Sequence, residues 1–327
     1  MTDFNRTDST EILAFVDIGA NSVRMNIYEV ENSTGKFRTV SSSRSMLGLA
    51  KYAVNGALSG DGEGKLYTVL REFLAKANAQ PCDRFIAFAT ASLRGLSNSD
   101  AVLSRIKNGL GIDVEIIDGQ REASLDYRAI CEKFGEQMAN RGIVIDMGGG
   151  STELIGFDSR RIHHITSLDF GCLKLYKSFV GGNGGTPFPT DAECDRIAEY
   201  VRARLNEVAP LLSFGGTAYL IGGTARAMAR LDSALHGGDD ISDGYTISDA
   251  SYIALRKATQ NDVAADAALI KKVAPDRLIS IVPGIVALTE ILSQTGVSSA
   301  KISFAGVREG YLYELIGKSR RAKAPEF

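Results

Sequence analysis

The densest group of chemically useful side chains lies in the segment Asp146–Glu153, directly after the apolar run Ile143–Ile145. A buried strand thus delivers a carboxylate to a turn of three consecutive glycines, with two hydroxyl residues and a second acid beyond it. Glycine has no Cβ, so several backbone N–H groups can point into one concavity and an anion can approach them closely. Carboxylates can also hold the Mg²⁺ that accompanies phosphate chains. The segment therefore predicts a metal-assisted phosphate site, although a glycine-rich hairpin without a ligand fits it equally well in isolation.

The N-terminal region repeats this pattern. Residues Ala14–Ser22 again run from an apolar strand to an acid, a glycine and small polar side chains. Asn21 and Ser22 are placed to donate to a phosphoryl oxygen, with Asp17 facing a metal or a water. Alone, the segment is just as typical of an Asx-type turn in a β-hairpin. Two such turns in one chain predict two related halves that face each other across a phosphate.

Three further segments follow predicted strands and carry groups suited to phosphate chemistry. Arg94 is placed to form paired, charge-assisted hydrogen bonds with a terminal phosphate, and Glu122 to orient or deprotonate an attacking water. Gly222–Thr224 precede a helix and suit an anion or nucleotide contact, which Arg226 or Lys174 would extend. On spacing alone, a solvated arginine is favoured for Arg94 and an ordinary first-turn glutamate for Glu122. For Gly222–Thr224, a tight strand–helix turn without a ligand fits as well as an anion site.

The composition limits the kinds of function. The chain has 327 residues, 44% hydrophobic and 23% charged, which are ordinary globular values and suffice for two α/β domains. A net charge of −2 excludes a globally basic nucleic-acid binder but allows a local basic channel for a polyanion. No apolar run is long enough to span a membrane, and the polar start Met1–Thr10 does not resemble a signal peptide. With four scattered cysteines, we expect a cytoplasmic protein with reduced thiols.

The elements that must position these residues alternate between strand and helix patterns, which predicts the α/β class. Expected strands or hairpins cover residues 12–18, 23–30, 85–89, 114–117, 143–146, 151–157, 161–167, 218–221 and 301–305. Expected helices cover residues 64–79, 99–109, 121–134, 225–235, 248–260, 263–273 and 283–294, one from Thr190 to about 212, and one from 308. The glycine-rich segment 181–189 is predicted to be a loop.

Taken together, the motifs resemble the Ppx/GppA phosphatase family. This family comprises the exopolyphosphatases and guanosine pentaphosphate phosphohydrolases of the actin-like, sugar-kinase and heat-shock ATPase superfamily. The matching segments occur in family order along almost the whole chain: Asp17–Arg24, Ala89–Arg94, Ile117–Ala123, Asp146–Glu153, Gly222–Thr224, Asp276–Arg277 and Gly306–Gly310. The segment Asp146–Glu153 matches the family's D-x-G-G-G-S-T-E at every defined position.

The resemblance implies an α/β fold with two ribonuclease-H-like domains around an interdomain cleft, in the family's short two-domain form. We place domain I at residues 1–125 and domain II at residues 126–327. The C-terminal helix from about residue 308 is expected to pack back on domain I. Longer relatives carry an additional helical domain with a histidine–aspartate signature, for which this chain has no suitable histidines.

The resemblance also implies Mg²⁺-dependent hydrolysis of phosphoanhydride bonds. It assigns the catalytic water-activating role to Glu122 and the clamping of the terminal phosphate to Arg94. It assigns Mg²⁺ to the acids Asp146 and Glu153. The implied phosphate-binding residues are Asp17, Asn21, Ser22, Gly148, Gly149, Gly150, Ser151, Thr152, Gly223 and Thr224. Such a set suits phosphoryl transfer, which depends on positioning and charge stabilisation more than on covalent chemistry.

Three departures from the family pattern bear on the substrate. Ala20 replaces a serine, Arg121 replaces the first glutamate of a pair, and Ser124 replaces an arginine. The leading interpretation is an exopolyphosphatase that releases orthophosphate from inorganic polyphosphate, and the alternative is a guanosine pentaphosphate (pppGpp) 5′-phosphohydrolase. A non-catalytic binder of polyphosphate or of the alarmone is a further alternative, should Arg121 and Ser124 disable water activation. A kinase on the same scaffold is disfavoured by Glu122 and Arg94. No nucleic-acid or membrane partner is expected, and the resemblance allows a homodimer.

Overall fold

The computed structural model describes residues 10–180, 188–208, 215–238, 240–261 and 263–323. The chain divides into two compact units. The first contains the described residues up to Asp118 together with those from Tyr311 onward, and the second runs from Gly119 to Gly310. Residues 181–187 of the predicted loop, and the end of the helix predicted to reach about 212, lie outside the described residues.

The first unit is built on a five-stranded sheet. Its elements are β1 (Thr10–Ile18), β2 (Val23–Glu31), β3 (Phe37–Ser45), β4 (Ala53–Val54), β5 (Ala57–Leu58), α1 (Gly60–Asn78), β6 (Arg84–Ala89), α2 (Ser99–Leu110) and β7 (Val114–Ile116). The strand order is β3-β2-β1-β6-β7, in which the first three strands are antiparallel and β1, β6 and β7 are parallel. Helices α1 and α2 bury Leu70, Phe73 and Ile106 against one face of this sheet.

The second unit contains a six-stranded sheet and most of the helices. Its elements are α3 (Gly119–Phe134), β8 (Arg141–Met147), β9 (Thr152–Asp158), β10 (Arg161–Leu168), α4 (Cys172–Phe179), α5 (Asp191–Asn206), β11 (Thr217–Ile221), α6 (Gly222–Leu235), β12 (Thr246–Ser248), α7 (Asp249–Asn261), α8 (Val263–Val273), α9 (Ile281–Thr295), β13 (Ser299–Ile302) and the start of α10 (Val307–Lys323). Its strand order is β10-β9-β8-β11-β13-β12.

Both units therefore share one topology. In each, three antiparallel strands are followed by two strands parallel to the first of them. The predicted α/β class with two domains, each built from a sheet and helices, is confirmed. The sequence patterns missed the edge strands β3 and β12 and the helix α4, which are short or polar.

Helix α3 decides where the chain divides. Its residues Ala123, Tyr127 and Ile130 form a core cluster with Val144 and Ile155 of the second sheet. The observed division at Asp118–Gly119 thus differs from the boundary expected at residue 125, because α3 packs on the strands that follow it. The opposite face of the same sheet is covered by the larger helical core of the unit.

The C-terminal helix α10 supplies residues to both units. The Tyr311 ring lies 5.8 Å from that of Phe15 and 5.6 Å from that of Phe88, and the Tyr313 ring lies 5.2 Å from that of Phe37. These aromatic contacts attach the helix to the outer face of the first sheet. The domain II expected to run to residue 327 therefore ends at Gly310, because the later part of α10 packs with the first unit.

A buried ion pair joins three helices of the second unit. Glu290 of α9 is 3% exposed and accepts hydrogen bonds from Arg202 Nε and Nη2 of α5 at 2.9 and 3.2 Å. Arg256 Nη1 of α7 lies 3.5 Å from the same carboxylate. A buried carboxylate held by two guanidinium groups fixes the relative positions of the helices that bear them.

We expect Glu290→Ala to lower the free energy of unfolding by about 1–2 kcal/mol, because it removes a buried carboxylate that accepts from Arg202 and faces Arg256, although Arg202 is half exposed and can turn to water. Urea unfolding followed by circular dichroism measures this loss. Glu207→Ala, directly after α5, is the matched control, since it removes a surface pair with Arg204 of that helix at 2.9 Å. That control should change stability by no more than about 0.5 kcal/mol. Equal effects of the two substitutions would contradict the structural role of Glu290.

Candidate functional site

In the first unit, the turn after β1 holds three of the predicted phosphate-binding residues. The turn is closed by a hydrogen bond of 3.1 Å from the Gly19 amide to the Ser22 carbonyl. The Ser22 hydroxyl accepts from Arg24 Nε at 3.1 Å, and Asp17 is the cross-strand partner of Arg24. The Asn21 Nδ2 donor is buried without an acceptor among the described residues. A buried amide donor of this kind is suited to an oxygen ligand.

The predicted arginine clamp lies beside this turn. Strands β1 and β6 are parallel neighbours with Ile18 opposite Ala89, so the turns that follow them meet at one edge of the sheet. The Ser92 hydroxyl donates to the Ile18 carbonyl and fastens the second turn to the first. Arg94 Nη1 donates to the Ile117 carbonyl at 3.3 Å. The structure therefore brings Arg94 together with the Asp17 turn in the first unit.

In the second unit, the two predicted metal-binding acids are direct neighbours. Asp146 on β8 is the cross-strand partner of Glu153 on β9, so both side chains project from the same face of the sheet. Val144 and Ile155, which share that face by the alternation of strands, pack against α3. Glu153 is 1% exposed. The acid pair therefore lies on the side of the sheet that α3 covers.

The glycine turn is anchored from behind by α4. The backbone amides of Cys172 and Leu173, at the start of this helix, donate to the carbonyls of Gly148 and Gly149, each at 3.0 Å. A further hydrogen bond of 3.0 Å runs from the Gly148 amide to the Ser151 carbonyl. Because backbone amides of α4 donate to the carbonyls of Gly148 and Gly149, these two carbonyl oxygens point toward the helix and the turn is fixed. This orientation leaves the amides between them available to an anion on the other side.

Two predicted phosphate-binding hydroxyls are committed to the protein itself. The Thr152 hydroxyl donates to the Phe170 carbonyl at 2.7 Å, and the Thr224 hydroxyl lies 3.5 Å from the Cys172 sulfur. Both threonines are at most 1% exposed. Their side chains hold the glycine turn and α4 in place, so only backbone groups at these two positions are suited to a phosphate contact.

Gly222 and Gly223 form the first turn of α6, earlier than the predicted helix start at residue 225. A methyl group on Gly222 would lie 2.6 Å from the Asp146 carboxylate, and one on Gly223 would overlap the Arg277 guanidinium. Glycine is required here because an acid and an arginine both approach the backbone. The turn thus lies beside Asp146, as the sequence pattern indicated.

Glu122 belongs to the same unit as the acid pair. It lies in the first turn of α3 and is 7% exposed. A methyl group added at Gly306 would lie 3.5 Å from Asp126 Oδ1 and 2.8 Å from Ile221, the strand partner of Asp146. Glu122 is one helical turn before Asp126. The start of α3 therefore lies at the end of the sheet that carries Asp146.

An arginine group surrounds the start of α6. Burial, together with the positive charges of Arg308 and Arg277, lowers the pKa of Arg226 to about 10. The guanidinium still carries its charge at neutral pH, because that value is well above 7. The Asp146 and Glu309 carboxylates oppose this shift. A cationic environment therefore adjoins the acid that is proposed to bind metal.

The positions of Asp146 and Glu153 fit a magnesium ion. Like charges directly opposite on two strands repel, so a cation held between them would be stabilising. Mg²⁺ typically keeps several waters and uses only one or two protein carboxylates. Within the part of the chain that the structure describes, no group of three or more His, Cys, Asp and Glu side chains could enclose a metal. The fit is thus to an open, partly hydrated ion.

Sequence reasoning missed three residues of this neighbourhood. Ser167 donates to Glu153 Oε1 at 2.8 Å, Gly171 packs on the glycine turn, and Asp126 is fully buried one turn after Glu122. The helical spacing of Glu122 and Asp126 was a usable signal. Gly171 had no local signal, because its constraint comes from Gly148–Gly150, a distant segment of the chain.

Comparison with known proteins gives the family. The sequence pattern of the Ppx/GppA phosphatase family matches residues 27–319, which is most of the chain. The chain belongs to the Ppx/GppA phosphatase family. The resemblance drawn from the motifs is thereby confirmed, and members of this family are phosphatases.

A curated relative is the guanosine-5′-triphosphate,3′-diphosphate pyrophosphatase of Photobacterium profundum, 26% identical over 321 residues. That match covers 96% of this chain but only 61% of the relative's length. Solved structures of the family have the same fold. The Aquifex aeolicus member has a TM-score of 0.76 at 23% identity, covering 97% of this chain and all of that one. An exopolyphosphatase from Cytophaga hutchinsonii has a TM-score of 0.80 at 22% identity, covering 94% and 98%.

In the described part of this family member, no helix is sufficiently long and apolar to traverse a lipid bilayer.

Proposed function

We propose that this protein is a Mg²⁺-dependent exopolyphosphatase that removes terminal orthophosphate from inorganic polyphosphate. The observation that supports this most strongly is the second unit's acid pair. Asp146 and Glu153 are cross-strand neighbours beside the anchored glycine turn, and the helix that carries Glu122 covers the same face of the sheet. A metal-binding pair, an anion-binding turn and a carboxylate base are the parts that phosphoanhydride hydrolysis requires.

Each group has a distinct role in the proposed reaction. The backbone amides of Gly149, Gly150 and Ser151 hold the oxygens of the terminal phosphate, over which charge is spread in the transition state. Glu122 accepts a proton from the water that attacks phosphorus. Arg94, in the first unit, is suited to charge-assisted hydrogen bonds with a phosphate oxygen of the substrate. Asp146 and Glu153 would hold Mg²⁺, which would supply neutralisation of the phosphate charge.

The surroundings of Gly223 favour polyphosphate as the substrate. A base-binding site would require an apolar pocket near Gly222–Arg226. The structure has instead three arginines there, with Arg277 against Gly223 and Arg226 in the field of Arg308. The Arg226 guanidinium lies over the ring of Phe304, 5.9 Å from its centroid, so this aromatic face is already next to a cation. Clustered guanidinium groups suit a repeating polyanion better than a nucleobase.

Hydrolysis of the 5′ γ-phosphate of guanosine pentaphosphate is the second candidate. It is supported by the name of the Photobacterium profundum relative, which acts on a guanosine 5′-triphosphate,3′-diphosphate. The bond broken is again a terminal phosphoanhydride, so the same residues serve both reactions. The two substrates differ only in the group to which the terminal phosphate is attached.

Phosphate release measured with malachite green tests both candidates. Polyphosphate and guanosine pentaphosphate are supplied separately, with Mg²⁺ or with EDTA, and without a sugar or acetate acceptor. We expect Mg²⁺-dependent release with the higher kcat/KM for polyphosphate. A higher kcat/KM for guanosine pentaphosphate would reverse the order of the candidates. Binding of either compound with no release would contradict hydrolysis and favour the non-catalytic binder.

The cytoplasmic location and the homodimer stay predictions. Size-exclusion chromatography with light scattering tests the second of them on the full chain. A mass twice the 35.0 kDa of one chain would support the dimer.

A further inference from the structure

Ser167 extends the row of acids on the second sheet. Strand β10 pairs with β9 so that Ser167 lies opposite Glu153, and Glu153 lies opposite Asp146 on β8. The three side chains thus occupy one row across three adjacent strands. The Ser167 hydroxyl donates to Glu153 Oε1 at 2.8 Å. This contact engages one of the two carboxylate oxygens.

The hydrogen bond restricts a flexible side chain. A glutamate has three rotatable side-chain bonds, and the carboxylate plane of Glu153 must be fixed if it is to serve as a ligand. Because Glu153 is almost completely buried, loss of the serine donor would leave a buried carboxylate oxygen without this hydrogen bond.

We propose that Ser167 is a positioning residue that orients Glu153 for Mg²⁺ binding. This inference rests on the proposed function, because it assigns the metal to Asp146 and Glu153. Outer contacts of this kind typically contribute 10- to 100-fold to metal affinity, roughly, through the orientation of the ligand. Ser167 itself touches neither metal nor substrate in this role.

The direct test is metal binding rather than turnover. Mn²⁺ replaces Mg²⁺, and the electron paramagnetic resonance signal of unbound Mn²⁺ gives the dissociation constant. We expect Ser167→Ala to weaken Mn²⁺ binding about tenfold and Ser167→Thr, which keeps the hydroxyl, to bind within about twofold of wild type. The Mg²⁺ concentration for half-maximal phosphate release should rise in parallel for Ser167→Ala, with a smaller change in kcat.

Ser42→Ala is the matched control. Ser42 is also a serine on an edge strand, and its hydroxyl donates across the strands to Asn26 Oδ1 at 3.0 Å in the first unit. Its removal should leave Mn²⁺ binding unchanged. Wild-type affinity in Ser167→Ala, or an equal loss in Ser167→Thr, would overturn the proposal. Failure of the proposed function is distinguishable, because it would appear as wild-type protein that binds Mn²⁺ but releases no phosphate.

Discussion

Glu122→Gln should lower kcat for phosphate release by about 10²–10⁴-fold and leave substrate binding close to wild type. Glutamine keeps the size and the hydrogen-bonding oxygen of the side chain but cannot accept a proton from water. Glu122 is 7% exposed at the start of α3, so no bulk buffer base can readily replace it. Single-turnover release measures the chemical step, and calorimetric titration of polyphosphate in EDTA measures binding without hydrolysis.

Helix α3 provides the matched control for this substitution. Glu132 lies on the same helix but is exposed, so Glu132→Gln changes the same charge without affecting the site. Its kcat should remain within about twofold of wild type. If Glu122→Gln retained turnover, Glu122 would not be the base. If it lost polyphosphate binding instead, the residue would act in substrate recognition.

Gly171→Ala should abolish most activity, by about 100-fold in kcat/KM, through displacement of the phosphate turn. Gly171 is extended, with φ −148° and ψ 175°, so alanine is compatible with its backbone conformation. The added methyl group, however, would lie 2.6 Å from both the Gly148 oxygen and the Gly149 carbonyl carbon. Those atoms are main chain, so the turn itself must move. Inorganic phosphate binding by calorimetry should weaken along with turnover.

Gly64→Ala distinguishes this displacement from a general effect of replacing glycine. Gly64 lies within α1, and an added methyl group would meet no described atom within 4 Å. Alanine in a helix interior should stabilise the first unit slightly and leave activity unchanged. Full phosphate binding by Gly171→Ala would show that the turn tolerates the displacement, and would contradict its anchoring by α4.

The parts of the site that the sequence predicted are those built from neighbouring residues. Asp146 and Glu153 lie on two strands joined by the glycine turn itself, so their spacing already implies that they are opposite each other. The turn between β1 and β2 in the first unit was predictable for the same reason, since it joins two paired neighbouring strands directly.

Tertiary packing accounts for what the sequence left out. Ser167 reaches Glu153 only because β10 pairs with β9 in one particular register. Thr152 and Thr224 match the family motifs. Their hydroxyls nevertheless donate to the Phe170 carbonyl and to the Cys172 sulfur, which are distant in sequence. Position along the chain grouped Glu122 with the first domain, whereas the apolar face of α3 packs on the second sheet. Contacts between distant segments carry no local pattern from which they could be inferred.

The shared strand order makes one asymmetry between the two units visible. At equivalent places, the first unit sets Asp17 opposite Arg24, whereas the second sets Asp146 opposite Glu153. The first hairpin thus sets a base opposite its acid, whereas the second sets another acid there and lies in the positive field of Arg226, which comes from a later segment of the chain. One position on the second strand of each hairpin therefore decides whether the cross-strand pair is an acid and a base or two acids. On this basis Glu153→Arg would give the second hairpin the same cross-strand charge pattern as the first.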